Sequence, residues 1–325
     1  MEVPCVRVPL EEGERMRERL ARADLVDRDH EITVEDGSIS IPITDATAVE
    51  EPVVSREVTP RERQQMPADL LAEPPSYERL GDIALLEEDD PDRAATIADA
   101  IVESDLPIET VLNKASPVQG TERVREWDVL VGESTEAVHR EYGCEFALDL
   151  AAVYFSPRLA TERHRVAEQV SAGERAFDMF AGVGPFVIPF ATRGATCVGV
   201  DINEAAIAYL EENAKRNDVA DRVTGIVGDV SAVAPEYADW ADRIVMNLPH
   251  DANQFLESAR IIAGESCILH YYDIQPEEDA YGPGEQAIRE AFEPAYAVTV
   301  ETRQEVRSYA PHELNVCLDV RLEQR

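Results

Sequence analysis

The chain has 325 residues, 44% of them hydrophobic, and a formal net charge of −36 at pH 7. No apolar run approaches the ~18 residues of a membrane-spanning helix and the N-terminus lacks the layout of a secretory signal, so we expect a cytoplasmic protein without a membrane partner. Carboxylates are spread along the whole sequence and only two of the 30 basic residues are lysines, which we interpret as a halophilic adaptation, since molar salt screens repulsion within about 3 Å.

The first segment predicts a small α/β domain over residues 1–45. An apolar run at Val3–Val8 predicts a strand, and a charged run at Glu11–Ala23 predicts a helix. Two alternating segments follow, and the Asp36-Gly37 pair between them is typical of a hairpin turn. Nothing in these residues alone indicates a binding partner.

The rest of the chain predicts a connection and two larger domains. Residues 46–75 are rich in Pro, Glu and Arg with little periodicity, which indicates a linker, and residues 76–168 predict a middle domain. From residue 169 to 325 strands and helices alternate, which predicts a mostly parallel, doubly wound α/β sheet with an antiparallel hairpin at its edge. The predicted elements are the strands Ala176–Phe180, Thr196–Asp201, Val223–Val227 and Arg243–Asn247, a helix at Glu204–Asn217, and the hairpin strands Ala297–Glu301 and Val316–Leu322.

A glycine-rich turn, D-M-F-A-G-V-G from Asp178 to Gly184, follows the first of these strands. Glycine at Gly182 and Gly184 permits a tight turn and lets backbone N–H groups approach a ligand. The turn lacks the third glycine of the dinucleotide fingerprint, so a nicotinamide dehydrogenase is disfavoured. The pattern D-x-F-x-G-x-G instead resembles the first motif of class I S-adenosylmethionine-dependent methyltransferases.

Two carboxylates strengthen this cofactor prediction. Asp201 ends the second strand, where it can accept hydrogen bonds from ribose hydroxyls. Asp229 follows the third strand, where it can meet an adenine edge, although strand-end aspartates are also common helix caps. Their neighbours Ile202 and Val230 belong to the same predicted site.

Two further motifs supply candidate substrate residues. Asn247 opens an Asn-Leu-Pro segment after the fourth strand, and its amide can both donate to and accept from a nucleobase edge. Upstream, in the segment Y-F-S-P-R-L-A-T-E-R beginning at Tyr154, a helix starting at Pro157 would place Arg158 and Glu162 at i and i+4 on one face. The alternative is a surface ion pair, which stabilises by under about 1 kcal/mol.

These motifs together resemble those of the archaeal and eukaryotic tRNA (guanine-37, N1)-methyltransferases. The resemblance spans nearly the whole chain and includes the R-x-R segment Arg123–Arg125 and the late segment His270–Tyr272. It implies a class I Rossmann-like methyltransferase fold, S-adenosylmethionine as cofactor and tRNA as partner. The N-terminal domain would contact the tRNA body and the middle domain would bind the RNA substrate near the anticodon loop, and we expect a monomer.

The resemblance also implies catalytic roles. Glu162 would be the general base for the guanine N1 proton, Arg158 and Asn247 would hold the base, and Tyr154 would orient the substrate. This fits the chemistry, because guanine N1 carries a proton at neutral pH, so methyl transfer needs a base and a group that stabilises negative charge developing towards O6. A base flipped from a single-stranded loop would expose its Watson–Crick edge.

Other implied roles concern a further arginine and the cofactor. Either Arg123 or Arg125 would be a further catalytic arginine, and the sequence leaves the register open. No metal is required, and the five scattered cysteines, without zinc-ligand spacing, predict reduced thiols. The residues expected to line the cofactor are Arg163, Asp178, Phe180, Gly182, Gly184, Asp201, Ile202, Asp229, Val230 and Asn247.

Three alternative functions remain open from sequence. The first is the related aminocarboxypropyl transferase of wyosine biosynthesis, against which the Asn-Leu-Pro motif and Pro185 argue. The second is methylation of a tricyclic guanosine derivative. The third is a non-catalytic RNA-binding protein, which the complete set of base, amide and cofactor carboxylates disfavours.

Overall fold

The computed structural model describes residues 2–60, 64–116, 120, 124–293 and 295–325. The chain forms two compact units, residues 1–70 and residues 71–325. Among the described residues, no helix is long and apolar enough to cross a membrane.

The first unit is an antiparallel sheet with one main helix packed on it. Its elements are β1 (Glu2–Pro9), α1 (Gly13–Arg22), β2 (Thr33–Glu35), β3 (Ser38–Pro42), β4 (Val53–Glu57) and α2 (Pro67–Leu70). The strand order is β2-β3-β1-β4. Met16 and Leu20 of α1 pack on Val6 and Ile41 of the sheet, and the hairpin predicted at Asp36-Gly37 is confirmed by the pairing of β2 with β3.

Strand β4 lies inside the segment 46–75 that the sequence predicted as a linker. Val53 and Val54 pair with Val6 and Cys5 of β1, which satisfies backbone groups that would otherwise be left along an open sheet edge. This part of the predicted linker is therefore wrong, because a short apolar pair was enough to complete the sheet.

The second unit begins with a sheet covered by one helix. Its elements are β5 (Glu78–Leu80), β6 (Ile83–Leu86), α3 (Pro91–Glu103), β7 (Thr110–Lys114) and β8 (Trp127–Val131), followed by the hairpin β9 (Glu136–Glu141) and β10 (Cys144–Asp149). Strands β6 and β7 are parallel and α3 connects them. The Asp90 carboxylate caps α3 by accepting a hydrogen bond from the Asp92 N–H at 3.0 Å.

The same unit continues into a seven-stranded sheet. Its elements are α4 (Ala160–Ala167), β11 (Arg175–Asp178), α5 (Val187–Thr192), β12 (Thr196–Asp201), α6 (Glu204–Arg216), β13 (Val223–Val227), α7 (Val230–Val233), β14 (Ala241–Met246), α8 (Leu256–Ile262), β15 (Ala263–Pro276), α9 (Gly282–Phe292), β16 (Tyr296–Ala310) and β17 (Glu313–Gln324).

The order β13-β12-β11-β14-β15-β17-β16 confirms the predicted doubly wound sheet with an edge hairpin. The first five strands are parallel, and β17 and β16 are antiparallel to their neighbours. Successive residues of β11 face opposite cores, with Ala176 in the cluster that includes α5 and α6 and Phe177 in the cluster that includes α8 and α9. Leu85 and Leu112 of the β5–β8 sheet share the first cluster, so the predicted middle and methyltransferase domains pack as one unit.

Candidate active site

Four polar side chains stand at the ends of neighbouring parallel strands. Asp178 and Asp201 are the last residues of β11 and β12, and Asp229 and Asn247 follow β13 and β14. Parallel pairing sets these ends side by side, with Asp201 opposite Val227 of β13. The four predicted residues therefore share one edge of the sheet, where ligands of such folds bind.

The turn between β11 and α5 depends on two glycines with positive φ. Gly182 has a φ of 52° and Gly184 a φ of 91°, a backbone region that favours glycine. A Cβ on Gly184 would overlap the Leu210 side chain, whereas a Cβ on Gly182 would meet nothing closer than the Tyr154 carbonyl oxygen at 4.0 Å. Gly184 is thus needed for packing, and Gly182 leaves open space above the backbone.

Asp201 holds this turn in place. Its Oδ2 accepts a hydrogen bond from the Gly182 N–H at 2.8 Å, and its Oδ1 accepts one from the Asn203 N–H at 2.9 Å. The Asn203 amide then donates to the Ala152 carbonyl at 2.8 Å, which links the glycine turn to the segment just before Tyr154. Asp201 therefore shapes the candidate cofactor site in addition to any contact with a ribose.

Asp178 carries an unmatched buried atom. It is 2% exposed, and its Oδ1 accepts a hydrogen bond from the Phe180 N–H at 3.1 Å, whereas Oδ2 has no hydrogen-bond partner among the described residues. Burial, with a smaller contribution from the charge of Asp201, raises the pKa of Asp178 to about 7. A cationic ligand at this strand end would favour the ionised form of Asp178 through its charge, which fits the sulfonium and ammonium groups of S-adenosylmethionine.

The apolar residues next to Asp201 and Asp229 include both exposed and buried side chains. Ile202 is 46% exposed and Val227 is 50% exposed, so both can pack against a flat ring. Val230 is buried, so its side chain belongs to the core and only its backbone can face a ligand. The Asp229 carboxylate accepts a hydrogen bond from the Ser231 N–H at 2.8 Å, which gives it the helix-capping role that was the alternative.

The Asn-Leu-Pro segment forms a turn after β14. Asn247 is half-buried, and the next carbonyl, that of Leu248, accepts a hydrogen bond from the Ala252 N–H at 2.8 Å. Nearby in the fold, Phe180 packs edge-on against Phe255 with ring centroids 5.1 Å apart. Asn247 is thus held at the strand end by the turn that follows it.

The helix predicted to begin at Pro157 starts differently. Pro157–Leu159 form a 3₁₀ turn, and α4 begins at Ala160. Arg158 Nη2 lies 2.5 Å from Oε1 of Glu78 on β5, whereas Glu162 pairs elsewhere. The α-helix therefore begins three residues later than predicted, and the 3₁₀ turn replaces the first α-helical turn that the i, i+4 spacing of Arg158 and Glu162 assumed.

Glu162 is buried, at 7% exposure, and both of its oxygens are paired. Arg165 donates from Nε to Oε2 and from Nη2 to Oε1, each at 2.8 Å. The hydroxyl of Tyr272 on β15 also donates to Oε1, at 2.9 Å. Glu162 was predictable from sequence but neither partner was, and the signal for Tyr272 was its place in the late segment beginning at His270.

Three of the predicted substrate residues, Tyr154, Arg158 and Arg125, line one pocket, whereas Glu162 and Asn247 are not among its lining residues. Arg125 packs over the Trp127 ring with its guanidinium carbon 5.5 Å from the centroid, and Arg123 lies outside the described residues. Aromatic faces and cations together are suited to nucleobases and phosphates. The lining residues are Glu78, Leu85, Lys114, Arg125, Trp127, Leu150, Val153, Tyr154, Phe155, Ser156, Arg158 and Arg307.

Two cations of this pocket were missed from sequence. Lys114 is one of only two lysines in the chain, and it lies 2.5 Å from Glu87 and 3.5 Å from Glu78. Arg307 comes from β16, and its Nε is buried without a hydrogen-bond partner among the described residues. No local motif marked Arg307, because only the long edge hairpin brings it to the pocket.

Arg163 has contacts that differ from its predicted cofactor role. Its Nε and Nη2 lie 2.7 and 2.6 Å from the two carboxylate oxygens of Glu141 on β9, and Nη1 donates to the Ser156 carbonyl at 3.0 Å. The guanidinium also lies 4.9 Å from the centroid of the Phe155 ring. These contacts tie α4 to the β9–β10 hairpin and do not support the cofactor role.

His270, Cys317 and Asp319 are close enough to hold a metal, with ligand atoms within 4.8 Å of one another. However, Arg243 Nη1 lies 2.7 Å from His270 Nε2, and Arg165 Nη1 lies 2.6 Å from Asp319 Oδ2. Two guanidinium groups oppose a third cation here, so the cluster is an ion-pair network. The five cysteines are free and buried, as the sequence predicted.

Three protein-family models match successive parts of the chain. The tRNA methyltransferase 5 N-terminal domain matches residues 5–51, the TYW2 N-terminal domain matches residues 63–135, and the TRM5/TYW2 methyltransferase domain matches residues 137–299.

Individual relatives agree with these matches. The tRNA (guanine(37)-N(1))-methyltransferase Trm5b of Pyrococcus abyssi is 40% identical over 98% of each chain. The tRNA(Phe) (4-demethylwyosine(37)-C(7)) aminocarboxypropyltransferase of Pyrococcus horikoshii is 32% identical over 82% of this chain and 95% of its own.

Solved structures are similar over comparable lengths. A complex of aTrm5 and tRNALeu superposes with a TM-score of 0.72 at 28% identity, covering 98% of this chain and 99% of that one. Methanocaldococcus jannaschii TYW2 in complex with AdoMet superposes with a TM-score of 0.62 at 27% identity, covering 77% of this chain and 100% of that one.

Proposed function

The chain belongs to the TRM5/TYW2 methyltransferase family, and from this we propose that it methylates N1 of guanosine 37, next to the tRNA anticodon, with S-adenosylmethionine as donor. The observation that carries the proposal is the match along almost the entire chain to a relative of that activity. The meeting of Tyr154, Arg125 and Arg158 in one pocket, next to the glycine turn, supports it.

The residues at the sheet edge fit the donor. Asp201 and the backbone of the Gly182 turn would hold the ribose and methionine portions, and the exposed side chain of Ile202 would pack on the adenine. The unmatched oxygen of Asp178 would face positive charge. When bound, the donor supplies a methyl group on positively charged sulfur, which needs no further activation.

The catalytic roles rest on Glu162 and its surroundings. Glu162 would take the proton from guanine N1 as that nitrogen attacks the methyl carbon, and the departing sulfur would keep the electrons of its bond to carbon. Arg158 or Arg125 would stabilise negative charge towards O6, with Asn247 and Tyr154 orienting the base. Substrate binding must then exchange the Glu78 partner of Arg158 for the nucleotide.

The first unit would recognise the tRNA body. Its residues 5–51 match a tRNA methyltransferase 5 N-terminal domain, and the aminocarboxypropyltransferase relative matches only 82% of this chain. Identity and coverage both favour methylation over aminocarboxypropyl transfer. The anticodon-loop contacts, the monomeric state, the cytoplasmic location and the adaptation to molar salt remain predictions.

One assay separates these functions. The protein is incubated in molar KCl with doubly labelled S-adenosylmethionine, carrying distinct isotopes in the methyl and aminocarboxypropyl groups, and an unmodified tRNA transcript. Nucleosides are then identified by mass spectrometry. We expect 1-methylguanosine with guanosine at position 37 and no product with adenosine there; aminocarboxypropyl label, or label on no nucleoside, would overturn the proposal.

A further inference from the structure

Arg165 lies between two buried carboxylates. It pairs with Glu162 on its own helix and with Asp319 on β17, where Nη1 lies 2.6 Å from Oδ2 and Nη2 lies 3.1 Å from Oδ1. Asp319 is 2% exposed and also accepts a hydrogen bond from the Gln169 amide at 3.1 Å. The guanidinium plane is therefore fixed from both sides before any substrate binds.

His270 holds the far side of Asp319. Its Nδ1 lies 2.7 Å from Asp319 Oδ1, and its Nε2 lies 2.7 Å from Arg243 Nη1. Because arginine can only donate, Nε2 must accept, and the ring proton is assigned to Nδ1, which donates to Asp319. Burial lowers the pKa of His270 despite the neighbouring Asp319, so the ring is neutral.

Asp319 is the fixed negative charge of this network. Burial disfavours its ionised form, but hydrogen bonds from His270 and Arg165 outweigh burial and hold the pKa of Asp319 well below its usual range. The same contacts with Glu162 and Asp319 overcome burial to raise the pKa of Arg165. Arg165 therefore remains charged throughout the pH range in which the enzyme can work.

The hydrogen bonds leave one oxygen of Glu162 with spare capacity. Within the part of the chain that the structure describes, Oε1 accepts from both Tyr272 and Arg165, whereas Oε2 accepts only the Nε–H of Arg165. A carboxylate oxygen has two lone pairs, so a further donor can bind at Oε2. The donor expected from the proposed reaction is the N1–H of guanine.

We propose that Arg165 and Tyr272 are positioning residues for proton abstraction, which turn Oε2 of Glu162 towards the substrate, with Asp319 and His270 holding Arg165. This inference rests on the proposed function. In the step, the N1–H bond breaks, the proton passes to Oε2, and the nitrogen pair forms the new bond to the methyl carbon as the carbon–sulfur bond breaks. Arg165 and Tyr272 exchange no proton.

The sharpest test is Tyr272→Phe, which removes only a hydroxyl from a buried ring. We expect kcat to fall about ten- to hundredfold, with the KM for tRNA and the Kd for the donor unchanged, because the carboxylate loses one of the hydrogen bonds that orient it. The ionisable groups near Glu162 are Arg165, Tyr272, Cys317 and Asp319. Because the variant lacks one donor to the carboxylate, its profile of kcat against pH should differ from that of the wild type.

The neighbouring tyrosine provides a matched control. Tyr271 is also buried, but it belongs to the core on the opposite face of the sheet. Tyr271→Phe removes the same atom from the same strand and should leave kcat and the pH profile unchanged. Thermal melting of both variants shows how much stability each loses with a buried hydroxyl. A fall in kcat found in Tyr272→Phe alone is then due to the lost donor to Glu162.

Substitutions at Arg165 test the second positioning residue. Arg165→Gln should lower kcat more than Arg165→Lys, because lysine retains the charge between Glu162 and Asp319 but cannot form the paired contact. Donor binding measured in the same samples shows whether each variant is folded. Equal losses in the two variants would contradict a role for the charge.

The outcomes distinguish this inference from the function on which it depends. Wild-type protein that forms no 1-methylguanosine would overturn the proposed function. If the wild type is active and Glu162→Gln is inactive, yet Tyr272→Phe keeps the wild-type kcat and pH profile, the function stands and the positioning role of Tyr272 is wrong.

Discussion

The two buried carboxylates of the active site, Asp178 and Glu162, have opposite surroundings. Asp178 has one oxygen without a partner among the described residues, no cation beside it and the negative Asp201 nearby, which together with burial raise its pKa to about 7. Glu162 is almost as buried, yet Arg165 donates to both of its oxygens and Tyr272 donates to Oε1.

This difference indicates where the positive charge that balances each carboxylate comes from. A buried carboxylate is costly unless it is paired and hydrogen-bonded. For Glu162 the protein itself supplies the pair, so the base is ready before substrate arrives. For Asp178 we expect a cationic donor to supply the counter-charge, so that its binding relieves an unfavourable state of the free protein.

The largest effect is expected from Glu162→Gln, which tests the role of Glu162 in this comparison. It keeps the size of the side chain but removes the proton acceptor, so kcat should fall by about a hundred- to ten-thousandfold. Donor binding should be unchanged, because Asp178 and Asp201 are intact. Single-turnover methylation in high salt and equilibrium dialysis measure the two quantities, and wild-type turnover would exclude Glu162 as the base.

A smaller effect, on the affinity for the donor, is expected from Asp201→Ala at the edge of the sheet. The variant loses the hydrogen bond to Gly182 at 2.8 Å as well as any bond to the ribose, so the Kd for the donor should rise about ten- to hundredfold. At saturating donor, kcat should stay within a few fold of wild type. A variant that loses kcat but binds the donor normally would show that the two carboxylate sites are not separate in function.

The raised pKa of Asp178 predicts how donor binding depends on pH. Above about pH 7 the carboxylate is ionised and attracts the cationic donor, and below this it is protonated and neutral. The Kd should therefore rise about tenfold between about pH 8 and about pH 6. S-adenosylhomocysteine, which lacks the positive sulfur, should show a smaller change, and Asp178→Asn should bind weakly at both pH values.

In the ligand-free protein, ionisation of Asp178 should lower the free energy of unfolding at high pH. A carboxyl whose pKa is raised by folding is destabilising once the pH exceeds its unfolded pKa, and the cost increases until the folded pKa is passed. Asp178→Asn should therefore raise the Tm of the ligand-free protein more at about pH 8 than at about pH 5. An equal change at both pH values would mean that Asp178 finds a partner without the donor.

The comparison also explains which parts of the site were predictable from sequence. The cofactor edge was predictable because Asp178 and Asp201 lie at ends of strands whose alternation is local. Arg165 is only three residues from Glu162, but its other partner, Asp319, is 154 residues away, and no local pattern specifies that contact. The turn at Arg158 was predicted to be α-helical because a 3₁₀ turn and an α-helix can begin at the same proline.

The smallest expected effect concerns the exchange of partners at Arg158. In the free protein its guanidinium pairs with Glu78, and the Arg158 side chain is 48% exposed, so the pair is worth at most about 1 kcal/mol. Glu78→Gln should release Arg158, remove the weaker contact with Lys114 at 3.5 Å, and strengthen tRNA binding about two- to fivefold, with donor binding unchanged. Glu73→Gln, which removes the same charge from an ion pair with Arg93 outside the pocket, is the matched control. Filter binding at several salt concentrations measures both, and equal gains would attribute the effect to net charge rather than to Arg158.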